Sequence, residues 1–98
     1  MFEMLVALDV ADDNNYAKYR QAMKPILNQF GGAFGYDFTI EQVLLSQVDE
    51  AINRVFTINF PDRQAMEAFF ADEEYLAVKS EFFSNSVNST TIIASYEK

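Results

Sequence analysis

The 98-residue chain carries fifteen acidic against seven basic side chains, a formal net charge of −8, and has neither histidine nor cysteine. The missing residues exclude disulfides, thiolate chemistry, imidazole-held haem, His-based metal sites and a Ser-His-Asp triad. The negative field, with Lys18, Arg20, Lys24, Arg54, Arg63, Lys79 and Lys98 scattered through it, argues against nucleic acid and anionic membrane as partners.

Residues 2–10 alternate. Phe2, Met4, Val6, Leu8 and Val10 fall on one face and Glu3, Leu5, Ala7 and Asp9 on the other. Both faces carry apolar groups, as in a central strand covered on two sides. Asp12 and Asp13 then offer carboxylates for a helix N-terminus. Tyr16, Tyr19, Met23, Ile26, Leu27 and Phe30 follow at helical spacing and define one face of a helix from Asn14 to Phe30. Pro25 lies inside that pattern and predicts a kink or break, and Gly31-Gly32 supplies the helix stop.

Alternation resumes over residues 33–38, with Phe34, Tyr36 and Phe38 against Gly35 and Asp37. Residues 39–53 are ambiguous. Ile40, Val43, Leu44, Val48 and Ala51 match a helical stripe, and Thr39 with Gln42 fits a capping box. Val43-Leu44-Leu45 equally suits a strand, since periodicity does not decide so short an apolar run. An extended, bulged strand to about residue 47, followed by a turn over residues 48–53, is the expectation, with helix as the open alternative.

Arg54 to Phe60 form the next strand, closed by Pro61-Asp62, and Asp62 is a good N-cap. Met66, Phe69 and Phe70 mark the apolar face of a short helix. Asp72 interrupts it and caps a second stretch, with Glu73 and Glu74 in its first turn and Tyr75, Leu76, Lys79, Phe82 and Phe83 on one stripe. Residues 84–89 read as a loop and Thr90 to Tyr96 as a β-branched closing strand.

The order strand, helix, strand, strand, helix, strand predicts one α+β domain over residues 1–98. It is the ferredoxin-like βαββαβ arrangement, a four-stranded antiparallel sheet with both helices on one face and the second helix interrupted near Asp72. The helix-free face would carry Leu5, Ala7, Gly35, Val55, Thr57 and Ile93, too apolar for open water, so a second copy of the chain is expected to cover it. Ten Phe and five Tyr in a domain with a thin core point the same way.

Several pieces also resemble the dimeric α+β-barrel proteins, in particular the branch known as domain of unknown function 1330. They are Leu8-Asp9-Val10 with Asp12 and Tyr16, Lys24-Pro25, Phe30-Gly31-Gly32, Phe60-Pro61-Asp62 and Glu74-Tyr75. The resemblance implies a homodimer whose sheets face each other to form a barrel, and it carries over no activity. Members of that branch carry an Arg and paired glycines along the second strand. Here that strand reads Gly35-Tyr36-Asp37-Phe38-Thr39-Ile40-Glu41, without a basic residue, and Arg54 is the cation placed to substitute in space.

With His and Cys absent, carboxylate, phenol, amide and guanidinium chemistry remains. Asp37, between Tyr36 and Phe38, is a candidate acid or base if its aromatic neighbours raise its pKa, and Tyr19 is the second candidate proton-transfer group. Against this stands a solvated Asp37 at the rim and a Tyr19 that simply packs in the core. Tyr16, Tyr36, Phe38, Arg54, Asn59 and Tyr75 are candidate ligand contacts, around an apolar cavity between sheet and helices. Asn59 equally suits backbone satisfaction, and Arg54 a sheet-edge cation.

The expected function is therefore binding of a small hydrophobic or aromatic ligand by a homodimer, without catalysis. The alternative is a cofactor-independent enzyme of monooxygenase, isomerase or cyclase type working through Tyr, Asp and Asn. No cofactor or metal is called for. No apolar run reaches the roughly 20 residues that span a bilayer, and no basic leader precedes the first strand, so the cytoplasm is the expected location.

Overall fold

The computed structural model describes residues 1–98, with strands β1 (Phe2–Val10), β2 (Ala33–Thr39), β3 (Arg54–Phe60) and β4 (Val87–Glu97). Helices α1 (Asp13–Gln29), α2 (Arg63–Ala71) and α3 (Glu73–Val78) lie between them, and α3 runs into a π-helical turn, Lys79–Phe83. The sheet order is β2-β3-β1-β4 and every neighbouring pair is antiparallel. This is the ferredoxin-like α+β fold expected from the order of elements.

Each helix starts where a carboxylate can take an orphan amide. Asp12 accepts from Asn15 N–H at 3.0 Å, Asp62 from Ala65 N–H at 2.8 Å and Asp72 from Tyr75 N–H at 3.0 Å. The interruption at Asp72 is thus a new helix start, with Glu73 and Glu74 in its positive first turn. At the end of α1, Gly31 adopts φ +73°, a region open to glycine at little cost. A Cβ there would also come within 2.8 Å of Pro61.

Of the kink or break expected at Pro25, the break does not occur, and α1 runs unbroken to Gln29. Pro25 and Gln21, whose carbonyl loses its partner, are both exposed, where water satisfies the freed group. The expected continuation of β2 to residue 47 is also overturned. β2 ends at Thr39, and residues 40–53 form neither strand nor helix. Beyond Arg54 no residue of β3 remains to pair with them.

The base of that segment is pinned instead. Ile40 N–H donates to Asn53 O at 2.8 Å and Asn53 N–H to Leu8 O at 3.0 Å. The Asn53 amide side chain exchanges two 2.8 Å bonds with the backbone of Val10. The bulge lies earlier, at Gly35-Tyr36 opposite Thr57, where the Thr57 hydroxyl accepts the freed Tyr36 N–H at 2.8 Å. Gly35 is needed there, because a Cβ would stand 2.5 Å from that same hydroxyl. β4 begins at Val87, three residues before the expected start, since Val87 already pairs with Val10.

The core lies between the sheet and the helices. Phe2, Met4, Val6, Leu8 and Val10 of β1 and Phe56, Ile58 and Phe60 of β3 meet Tyr16, Tyr19, Met23, Ile26 and Leu27 of α1. Phe69, fully buried, touches Phe30, Phe60, Phe70 and Tyr75 with ring centroids 4.4–5.9 Å apart. Such tilted and edge-to-face pairs favour the quadrupoles of the rings beyond the area they bury.

Candidate functional site

Helix α1 repeats apolar residues at helical spacing, which sets Tyr16, Tyr19 and Met23 over the centre of the sheet. Tyr75, Lys79 and Phe83 come down opposite from α3 and the π turn. Between these faces and the inner residues of β1, β3 and β4 lies a cavity of about 190 Å3. Thirteen of its sixteen lining residues are hydrophobic, and the other three are Arg20, Lys79 and Thr90. Lys79, Thr90 and Ile92 are exposed, which sets the mouth along the β4 edge beside the π turn.

The Tyr19 and Tyr75 hydroxyls bond to each other at 2.9 Å within this wall, both rings buried. Burial is the main reason that both phenols are pushed above the ordinary tyrosine pKa. They stay neutral and can give or take a hydrogen bond. Tyr16 is raised for the same reason.

Arg20 closes the β2 end. Its Nε donates to the Tyr16 hydroxyl at 2.7 Å, and its terminal nitrogens reach Asp37 at 3.1 and 3.4 Å. The guanidinium lies 3.9 Å from the Phe34 centroid and 4.7 Å from that of Phe56. Arg54 grips Asp37 from the other side, with Nε and Nη2 at 2.8 and 2.9 Å in a bidentate pair. Arg54, and then Arg20, hold the Asp37 carboxyl below the usual carboxylate range. The sequence-based expectation of a raised Asp37 pKa is therefore reversed, because the flanking aromatics point elsewhere and two cations face the acid.

The expected contacts divide. Tyr16, Tyr19 and Tyr75 line the cavity; Tyr36, Phe38, Arg54 and Asn59 do not. Phe38 pairs with Val55 and Asn59 with Glu3, on the opposite face of the sheet. Tyr36 stacks on Phe38 with centroids 5.8 Å apart at 18°. The bulge at Gly35-Tyr36 sets these rings on the face opposite to Phe34, while Asp37, between them in sequence, sits on the helix side opposite Phe56. Arg54 borders a separate, more polar recess with Asp13, Thr39 and Asn53.

Sequence reasoning did not single out Arg20, Lys79 or Ile92 as site residues. Arg20 was readable as the i+4 neighbour of Tyr16, and Lys79 as the lone cation on an apolar stripe. Ile92 depended on the β4 register, which sequence does not give. No three acidic side chains converge where a metal ion would sit.

The helix-free face carries Glu3, Leu5, Ala7, Val55, Thr57 and Asn59 at its centre and Tyr36, Phe38 and Tyr96 at its flanks. The Tyr96 hydroxyl and the Lys98 ammonium both donate to the buried Glu3 carboxylate. The Tyr96 bond is the main reason that the Glu3 carboxyl is lowered. Tyr36 is 63% and Phe38 52% exposed, so the large rings of this face meet solvent in the single chain. No helix of the chain is long and apolar enough to cross a membrane.

Similar structures agree on the architecture. A protein of unknown function from Rhodopseudomonas palustris, RPA0582, is 19% identical, with 99% of this chain and 81% of that one aligned at a TM-score of 0.83. A dabb family protein with a ferredoxin-like fold from Mesorhizobium loti is 15% identical, aligned over 99% and 95% at 0.67. A dimeric protein of unknown function with a ferredoxin-like fold from Bacteroides fragilis is 13% identical, aligned over 99% and 95% at 0.56. At these identities the likeness concerns the fold. No curated protein matches the chain. Residues 4–96 match the domain of unknown function DUF1330, and the chain therefore belongs to that family.

Proposed function

We propose that the protein is a homodimer whose subunits each bind a small apolar ligand between sheet and helices. The cavity carries this reading: it is enclosed by core residues, thirteen of sixteen apolar, with a neutral pair of phenols in its wall. Small-ligand sites have this character, a mostly apolar lining with a few placed polar groups. Its size bounds the ligand. An engineered cavity of about 150 Å3 accepts benzene, so 190 Å3 suits a single substituted ring or a short aliphatic chain.

An acid–base role for Asp37 and Tyr19 has less behind it. Asp37 is kept ionised and engaged by two guanidiniums, and burial keeps the Tyr19 phenol protonated. Neither is poised to exchange a proton near neutral pH. The homodimer is supported by the exposed Tyr36 and Phe38 rings on the helix-free sheet face and by the dimeric neighbour of the same fold.

The test is a thermal-shift series of single-ring aromatics on wild type and on Ile92→Trp. Ile92 is 49% exposed at the mouth, so a larger ring there plugs the entrance without disturbing the core. Stabilisation of wild type that disappears in the plugged variant is expected. Equal shifts in both, or none in wild type, would remove the cavity from the account.

A further inference from the structure

We infer that the cavity is selective for an anionic head group, and that its ligand is a compact apolar monocarboxylate, a single ring or short chain bearing one acid, read by Lys79. This rests on the cavity being a ligand site.

The charge pattern is the first observation. The chain has fifteen acidic and seven basic residues, yet no acidic residue lines the cavity and two basic ones do. A net charge of −8 repels anions at long range, so a site for an anion needs cations placed locally. The two cations are in different states. Arg20 is committed to Tyr16 and Asp37 through all three of its nitrogens. Lys79 has no ion pair and no side-chain hydrogen bond, so its three N–H donors remain for a ligand. Thr90 adds a hydroxyl at the same mouth.

Backbone geometry is the second. Tyr75, Lys79 and Phe83 recur every fourth residue, a spacing that overshoots an α turn by about 40°. The π turn takes back that drift. Its wide ring closes with Ser84 N–H on Lys79 O at 3.0 Å, and all three side chains stay on the cavity. Phe83 packs on Tyr19 with centroids 4.9 Å apart, while the Lys79 ammonium lies 5.9 Å from the Phe83 centroid. The cation is thereby held over the apolar entrance. A ring or chain entering the cavity would leave its polar end at Lys79.

Isothermal titration calorimetry with phenylacetate and its neutral isostere phenylacetamide tests this. Wild type is expected to bind the acid about tenfold tighter, the scale of one charge-assisted hydrogen bond at a half-wet site. Lys79→Met keeps the apolar stem and should weaken only the acid, bringing the two probes level. Lys79→Arg should keep the preference. Equal affinity of both probes for wild type, or a preference that persists in Lys79→Met, overturns the anionic reading and leaves the cavity reading standing. Binding of neither probe overturns both.

Discussion

Tyr19 on α1 and Tyr75 on α3 join their hydroxyls at 2.9 Å across 56 residues of sequence. No buried side-chain polar atom of the protein lacks a partner, and this pair is one reason. Removing one hydroxyl strands the other. Tyr19→Phe and Tyr75→Phe should each cost about 1–3 kcal/mol, the penalty for an unsatisfied buried donor. The double variant should cost clearly less than the sum, because two apolar rings need nothing from each other. Urea unfolding of the four proteins reads the coupling, and strict additivity would mean that the bond is absent in solution.

Asp37 couples stability to pH. Its carboxyl is lowered in the folded protein, first by the Arg54 hydrogen bonds and then by Arg20. Between the lowered folded value and the ordinary unfolded value near 3.9 the unfolded chain holds more protons, so stability rises with pH. The contribution is fully present above about pH 5 and is lost as pH falls through the folded pKa. Asp37 is partly solvated, and about 1 kcal/mol is the scale for such a bidentate pair. Asp37→Asn should be less stable than wild type at pH 7, and the gap should close in acid. A gap that is unchanged at pH 2.5 would separate Asp37 from the two arginines.

The elements legible in the sequence were those with a strong local signal. Asp12, Asp62 and Asp72 preceded apolar runs and all three cap helices. Alternation over residues 2–10 and 54–60 marked the two central strands. The cavity was half legible. Tyr16, Tyr19 and Tyr75 lie on helices, where spacing fixes the face. Tyr36 and Phe38 lie beyond a bulge, and one extra residue moves the rest of a strand to the other face. Gly35 is the one local sign of that bulge, and the hydroxyl that completes it comes from Thr57 on the neighbouring strand. Val43, Leu44 and Leu45 misled for a related reason. Their apolar character suggests a buried element, yet Leu44 and Leu45 are the most exposed large apolar side chains in the chain.

Those exposed groups bear on assembly. Phe38, on the helix-free face, stacks with Tyr36 and makes no contribution to the core of the single chain. Phe38→Glu should therefore leave the monomer fold intact and place a charge at the proposed subunit contact. Sedimentation equilibrium at micromolar concentration should give a dimer for wild type and a monomer for the variant, with unchanged far-UV circular dichroism. A wild-type monomer would leave the sheet face without its partner.

The aspartate caps of α2 and α3 separate fold from site. Asp62 and Asp72 each accept one backbone N–H at the start of a helix, at 2.8 and 3.0 Å. Replacing either with Ala should cost about 1 kcal/mol, or roughly 4–8 °C in Tm for a domain of this size. Their consequences for binding should differ. Asp62 starts α2, which contributes only Phe70 to the cavity wall. Asp72 starts α3, and the amide it caps is that of Tyr75, from which the chain continues through Lys79 to Phe83. Loosening that first turn frees the Tyr75 hydroxyl from Tyr19 and the Lys79 head from its place at the mouth. Asp72→Ala should weaken phenylacetate several-fold, whereas Asp62→Ala, at matched loss of Tm, should leave it within a factor of about two. If both variants lose affinity in step with stability, the site tracks the global fold. If only Asp72→Ala does so, α3 and its π turn position the ligand.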